Sequence, residues 1–116
     1  MHDNPIHSFA KFPTYTDPGA VNQLCRDILN RGAGEAAQLQ IGTCRITGPG
    51  QVAPDSHSTW TQYFLVTSGE GILHLGDKAF PIAKDSIVEI PKGTRHYVEC
   101  AADQQIEYFF VNAHDS

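Results

Sequence analysis

The sequence predicts an all-β domain, and three observations carry that expectation. From residue 35 onward, stretches of strand length with alternating apolar and polar residues follow one another, separated by Gly, Pro or Asp. Gly76-Asp77 stands between Leu75 and Lys78 as a two-residue hairpin signal, because both central positions of such a turn favour residues that tolerate positive φ. Seven short strands within about 80 residues are the pattern of a small barrel or sandwich.

The 116 residues allow one domain with one core, in which residues 1–34 read as an arm and a helix and residues 35–112 as the barrel. Met1–Phe12 is expected to be an arm and Ala113–Ser116 a tail, so His2, His7 and His114 carry little functional weight. Asp17 reads as a helix cap and Pro18 as a first helical residue. Val21, Leu24, Cys25, Ile28 and Leu29 then recur at helical spacing before Gly32, which predicts one short helix near residues 18–31. Such a helix would cover an end or an edge of the sheet.

Strands are expected at Ala37–Thr47, Trp60–Thr67, Ile72–Leu75, Lys78–Ile82, Ser86–Ile90, His96–Cys100 and Gln105–Val111. Pro81 assigns its strand to an edge, or turns its nitrogen away from a ladder.

Composition narrows the partners. The net charge is −5, and no window clusters Lys and Arg as phosphate neutralisation requires, so nucleic acid is not expected. No run of apolar residues is long enough for a spanning helix. The N-terminus lacks a basic flank followed by an apolar stretch, which argues against a signal peptide, and a cytoplasmic location is the default expectation. Cys25, Cys44 and Cys100, an odd number at wide spacings, fit neither a disulfide framework nor a paired-Cys zinc site, and read as packed, reduced thiols.

Two segments place imidazole beside a turn. In the first, Asp55 and His57 are two apart, so on an extended strand both side chains leave the same face, to which Gln62 can return. The second runs from Asp85 through Pro91-Lys92-Gly93 to His96 and Cys100. Two His and one carboxylate with open positions are the facial arrangement of non-haem iron(II) sites, and Asp55, His57 and His96 supply those groups. Asp55 also stands in a Pro-Asp-Ser context in which its carboxylate can simply bond backbone N–H groups.

Over residues 45–111 the chain resembles the cupins. The first cupin motif is Gly, a His-x-His pair, four residues, Glu, six residues and Gly; here Asp55-x-His57, Gln62 and Gly69 stand at those places. The second is Gly, five residues, Pro-x-Gly, two residues, His, three residues and Asn; here Asp85, Pro91-Lys92-Gly93, His96 and Cys100 stand there. Asp thus replaces the first His and Gln replaces the Glu. Other cupins carry Gln at the Gln62 position, where an amide oxygen remains a ligand without charge.

The resemblance implies a cupin-type double-stranded β-helix, a jelly-roll barrel, with Asp55, His57, Gln62 and His96 directed at one divalent metal ion. Fe2+ or Mn2+ is favoured for a set containing a carboxylate, with Ni2+ or Zn2+ as alternatives. The expected function is a metal-dependent enzyme acting on a small polar molecule by oxygenase, lyase or isomerase chemistry, with Tyr108 and Arg45 as catalytic auxiliaries. The alternative is a non-catalytic cupin that binds or senses a small molecule. Cupin barrels commonly pair, and Phe9, Phe12 and Tyr15 offer apolar area in the N-terminal segment, so a homodimer is expected.

Overall fold

The computed structural model describes residues 6–29 and 38–114. After a single 3₁₀ turn at Phe9–Lys11 come seven strands: β1 (Val21–Leu29), β2 (Leu39–Gln51), β3 (Trp60–Leu75), β4 (Lys78–Ala83), β5 (Ile87–Ile90), β6 (His96–Cys100) and β7 (Gln105–His114). All pairings are antiparallel.

Closure follows from the two long strands, each of which bends and changes neighbours. The first part of β2 pairs with β7, and its end, at Gly50 and Gln51, pairs with β6. The first part of β3 pairs with β5 and β7, and its last residues with β4 and β6. The circuit β2–β7–β3–β6 therefore returns to β2 and removes the open edges that an isolated sheet of this size would expose.

The Ser68-Gly69-Glu70-Gly71 stretch, expected to separate two strands, instead lies within the continuous β3. It absorbs the bend through a register shift between Val66 and Ser68. Gly69 has φ +78°, and a Cβ there would fall 1.8 Å from the Gln105 carbonyl oxygen, so only glycine lets β3 and β7 approach so closely. The Gly76-Asp77 hairpin and the edge position of β4 with its Pro81 are as expected.

The helix expected near residues 18–31 is not formed; residues 21–29 are strand β1, and residues 30 and 31 lie outside the described part. Asp17-Pro18-Gly19-Ala20 is a β-turn rather than a helix start: Ala20 N–H donates to the Asp17 carbonyl at 3.1 Å and Gly19 takes φ +82°. Pro and Gly occupy the central positions that a type II turn prefers. Burial follows strand alternation rather than helical spacing: Gln23 and Cys25, two apart, face the core, whereas Val21 is 51% and Leu29 42% exposed. Pairing with the edge of β2 satisfies a row of backbone groups that a helix would leave open.

The inner face is a core of Ile46, Phe64, Val66, Leu73, Ile82, Val88, Ile90, Val98 and Ile106, joined by the three cysteines and Tyr108. It closes one part of the barrel and leaves a cavity in the other.

Candidate functional site

That cavity has a volume of about 510 Å3, which is in the range that holds a small molecule. Asp55, His57, Gln62, His96 and Tyr108 all line it. Arg45 does not: flanked by the inward Cys44 and Ile46, it lies on the outer face, where it pairs with Glu107 at 3.8 Å.

Local backbone chemistry brings the two imidazoles together. Pro91-Lys92-Gly93-Thr94 is a turn with Gly93 at φ +77°, and the Gly93 N–H donates to the His57 carbonyl at 2.6 Å. Asp55 and His96 then exchange two backbone hydrogen bonds, of 3.0 and 2.8 Å. The segment carrying His57 is thereby fastened to the turn and strand carrying His96, and the two rings lie 5.2 Å apart, centroid to centroid. Asp85, at the position where the cupin motif has glycine, adopts φ +76°, so the backbone still makes the left-handed step and Asp tolerates it.

His96 is buried, and its Nδ1 lies 2.9 Å from the Thr94 carbonyl oxygen. A carbonyl can only accept, so Nδ1 carries a proton, and Nε2 is the ring nitrogen that could serve as a ligand. Gln62 is buried, and among the described residues its Oε1 has no hydrogen-bond donor. Asp55 stays exposed and its Oδ1 accepts the Ser56 N–H at 2.7 Å, a turn interaction.

Two residues not singled out as site residues by the sequence pattern complete this wall. Asn112 lies directly across the β3–β7 ladder from Gln62; its Nδ2 donates to Gln40 Oε1 at 3.1 Å and its buried Oδ1 has no donor. Trp60, the first residue of β3, is buried against His57 with its Nε1–H unpaired. Three unpartnered polar atoms on one cavity wall are costly unless something else occupies them. Their signal was absent from the sequence, because it depends on which residues of β3 and β7 stand opposite each other.

Tyr108 is a poor proton donor to a ligand. Burial pushes its phenol well above the usual range, and its hydroxyl is engaged by the Cys44 thiol. Its ring packs on Phe64 at 4.5 Å, so the two form a wall of the barrel. His74 lies outside, bonded to Glu99 at 2.5 Å and stacked on Tyr97.

For a metal ion, the donors on this wall are the His57 and His96 imidazoles and the Gln62 amide oxygen. Among the described residues no three His, Cys, Asp or Glu side chains form a group that could hold a metal ion, although Asp55 lines the same cavity as the two imidazoles. Two imidazoles and a buried, donor-less amide oxygen nevertheless fit a divalent first-row ion, as a neutral and therefore weak set.

None of the curated proteins matches the chain. Among solved structures, the chain is similar to the polyketide cyclase RemF from Streptomyces resistomycificus, with 19% identity, 94% of this chain and 78% of that one covered, and a TM-score of 0.78. It is also similar to a predicted oxalate decarboxylase from Thermotoga maritima, with 15% identity, 95% and 99% covered, and a TM-score of 0.81. A Cupin 2 conserved barrel domain protein from Salinispora arenicola aligns at 15% identity over 97% of this chain and 90% of its own, with a TM-score of 0.76. At such identities the likeness is one of fold. The closed barrel and the match of residues 45–112 to the Cupin domain family agree, and the chain belongs to that family.

Proposed function

We propose that the protein acts on a small, partly polar molecule inside its barrel, at a divalent metal ion held by His57, Gln62 and His96. The observation that carries this reading is the buried Gln62 Oε1, which has no donor and lines the same cavity as the paired imidazoles. A bound divalent ion supplies a Lewis acid that polarises a carbonyl or hydroxyl of the ligand. The chain itself does the positioning. Asn112 Oδ1 accepts from a ligand O–H or N–H, Trp60 Nε1–H donates to a ligand oxygen, and Phe64, Phe110 and Val98 exclude water around the apolar part.

Elemental analysis of protein purified without chelators tests this. Stoichiometric divalent metal is expected in the wild type and a loss of most of it in His96→Ala; full retention in the variant would make His96 structural and overturn the site.

A second reading, a cupin that binds its ligand without metal, is favoured by one observation: the Asp55 carboxylate is spent on Ser56 rather than joined to the two imidazoles. Metal-free wild-type protein that is stabilised by a small polar ligand would select it.

Pairing of two copies is proposed alongside. Ile87 is 76% exposed and its cross-strand partner Leu65 46% exposed, an apolar pair on the outer face that a second copy would cover. Sedimentation as a monomer at micromolar concentration contradicts it.

A further inference from the structure

We infer that Cys25 and Cys44 form a peroxide-oxidisable pair that closes to a disulfide across β1 and β2. The two residues are direct partners in the β1–β2 register, and both are free, buried thiols. Their backbone shows which kind of partner they are. Cys25 spends both its N–H and its carbonyl on Tyr15, at 2.8 and 2.9 Å, on the side away from β2. Toward β2 it therefore sits in a non-hydrogen-bonded pair, the narrower type, with α-carbons about 4.5 Å apart. That separation lies within the roughly 4.4–6.8 Å that a disulfide spans, so the strand register is compatible with the bond.

Chemistry and access agree with the geometry. The two thiols lie in hydrogen-bonding contact, and the contact with Cys25, joined by Tyr108 and Gln23, pushes the Cys44 thiol down against the opposing effect of its burial, while Cys25 is pushed up. Both cysteines line the large cavity, which admits a molecule the size of hydrogen peroxide. Cys100, buried on β6 and outside that lining, is the internal control.

The reaction runs in two steps. The Cys44 thiolate attacks one peroxide oxygen; an S–O bond forms, the O–O bond breaks, and the hydroxide released takes up the proton lost from Cys44. The Cys25 sulfur then attacks the Cys44 sulfenic acid; the S–S bond forms, the S–O bond breaks, and water leaves with the Cys25 proton. Two thiols are oxidised and one peroxide is reduced to two waters.

The test treats the full-length chain with equimolar hydrogen peroxide, alkylates it without reduction and maps the peptides. The expected result is a single intramolecular link between the peptides of Cys25 and Cys44, with free thiols falling from three to one and Cys100 alkylated. In Cys25→Ser, which removes the resolving thiol, Cys44 should accumulate as a sulfenic acid trapped by dimedone. Three alkylated thiols in the oxidised wild type, or a link that includes Cys100, overturns the proposal. The wild-type peptide map decides by itself if the variant does not fold.

Discussion

Two walls of the same cavity carry polar side chains, and they differ in whether those side chains have partners. On the wall made by β1 and the segment before it, Gln23 Oε1 accepts the Asp17 N–H at 2.9 Å and Gln23 Nε2 donates to the Asp17 carboxylate at 3.1 Å. Tyr15 donates to Asp27 at 2.5 Å, and Thr16 donates to the Gln23 carbonyl at 2.7 Å. On the wall made by β3 and β7, Trp60 Nε1, Gln62 Oε1 and Asn112 Oδ1 have none. A closed network holds the fold together, whereas a set of buried, unpaired atoms lowers the stability of the free protein and makes that wall the candidate place for a ligand. Burial and polarity alone do not separate the two walls; hydrogen-bond completeness does.

Paired substitutions test this contrast. Gln23→Met should be the most damaging, because it removes both hydrogen bonds that tie buried Gln23 to Asp17, one of them to a carboxylate; a loss of about 2–3 kcal/mol is expected in denaturant unfolding. An unchanged midpoint would mean that the first wall is not a structural network.

Two phenols, Tyr15 before β1 and Tyr108 on β7, predict a response to alkali. Burial raises the phenols of Tyr15 and Tyr108 above their ordinary value, and for Tyr15 the Asp27 hydrogen bond adds to it. A raised phenol pKa contributes stability that is complete below the unfolded value of about 10 and is lost as pH rises from there toward the folded value. Stability should therefore fall above about pH 10, by about 1.4 kcal/mol per pH unit for each such group, and Tyr108→Phe should make the decline shallower. A decline of equal slope in the variant would remove Tyr108 from the explanation.

The opposite wall should behave inversely. Gln62→Met replaces an unpaired buried acceptor with an apolar side chain of similar length, so the free protein should gain about 1 kcal/mol while losing its capacity for ligand. Destabilisation of that variant would show that Gln62 already has a structural partner. Smallest of all is Asp55→Ala, which removes one exposed turn hydrogen bond, a cost of about 0.5–1 kcal/mol, and should leave metal content as it is. A drop in metal content would restore Asp55 to the ligand set.

Much of this is legible in the sequence. β5, β6 and most of β3 alternate, and Gly76, Pro81 and Gly93 stand where turns and edges need them, so strand positions and the hairpin could be read directly. The two imidazoles could be found from spacing, since Gly93 and the Asp55–His96 bridge turn that spacing into proximity. Strand β1 could not. Its apolar residues fall at helical intervals by coincidence, and Asp-Pro-Gly serves a helix start and a type II turn equally well. Arg45 was assigned its strand neighbours correctly, but alternation does not say which face is inside. Asn112 was invisible because its role depends on the β3–β7 register, a long-range fact.

The most direct test of the account is thermal unfolding of the wild type and Gln62→Met, each with and without added Mn2+. A ion that binds only the folded state raises the midpoint, and at about 100 times its dissociation constant the gain is about 2.7 kcal/mol. The account predicts that Gln62→Met melts higher than the wild type without metal, and that Mn2+ raises the midpoint of the wild type but not of the variant. A wild type that does not respond, or a Gln62→Met that responds equally, would contradict the claim that the unpaired wall is the binding site.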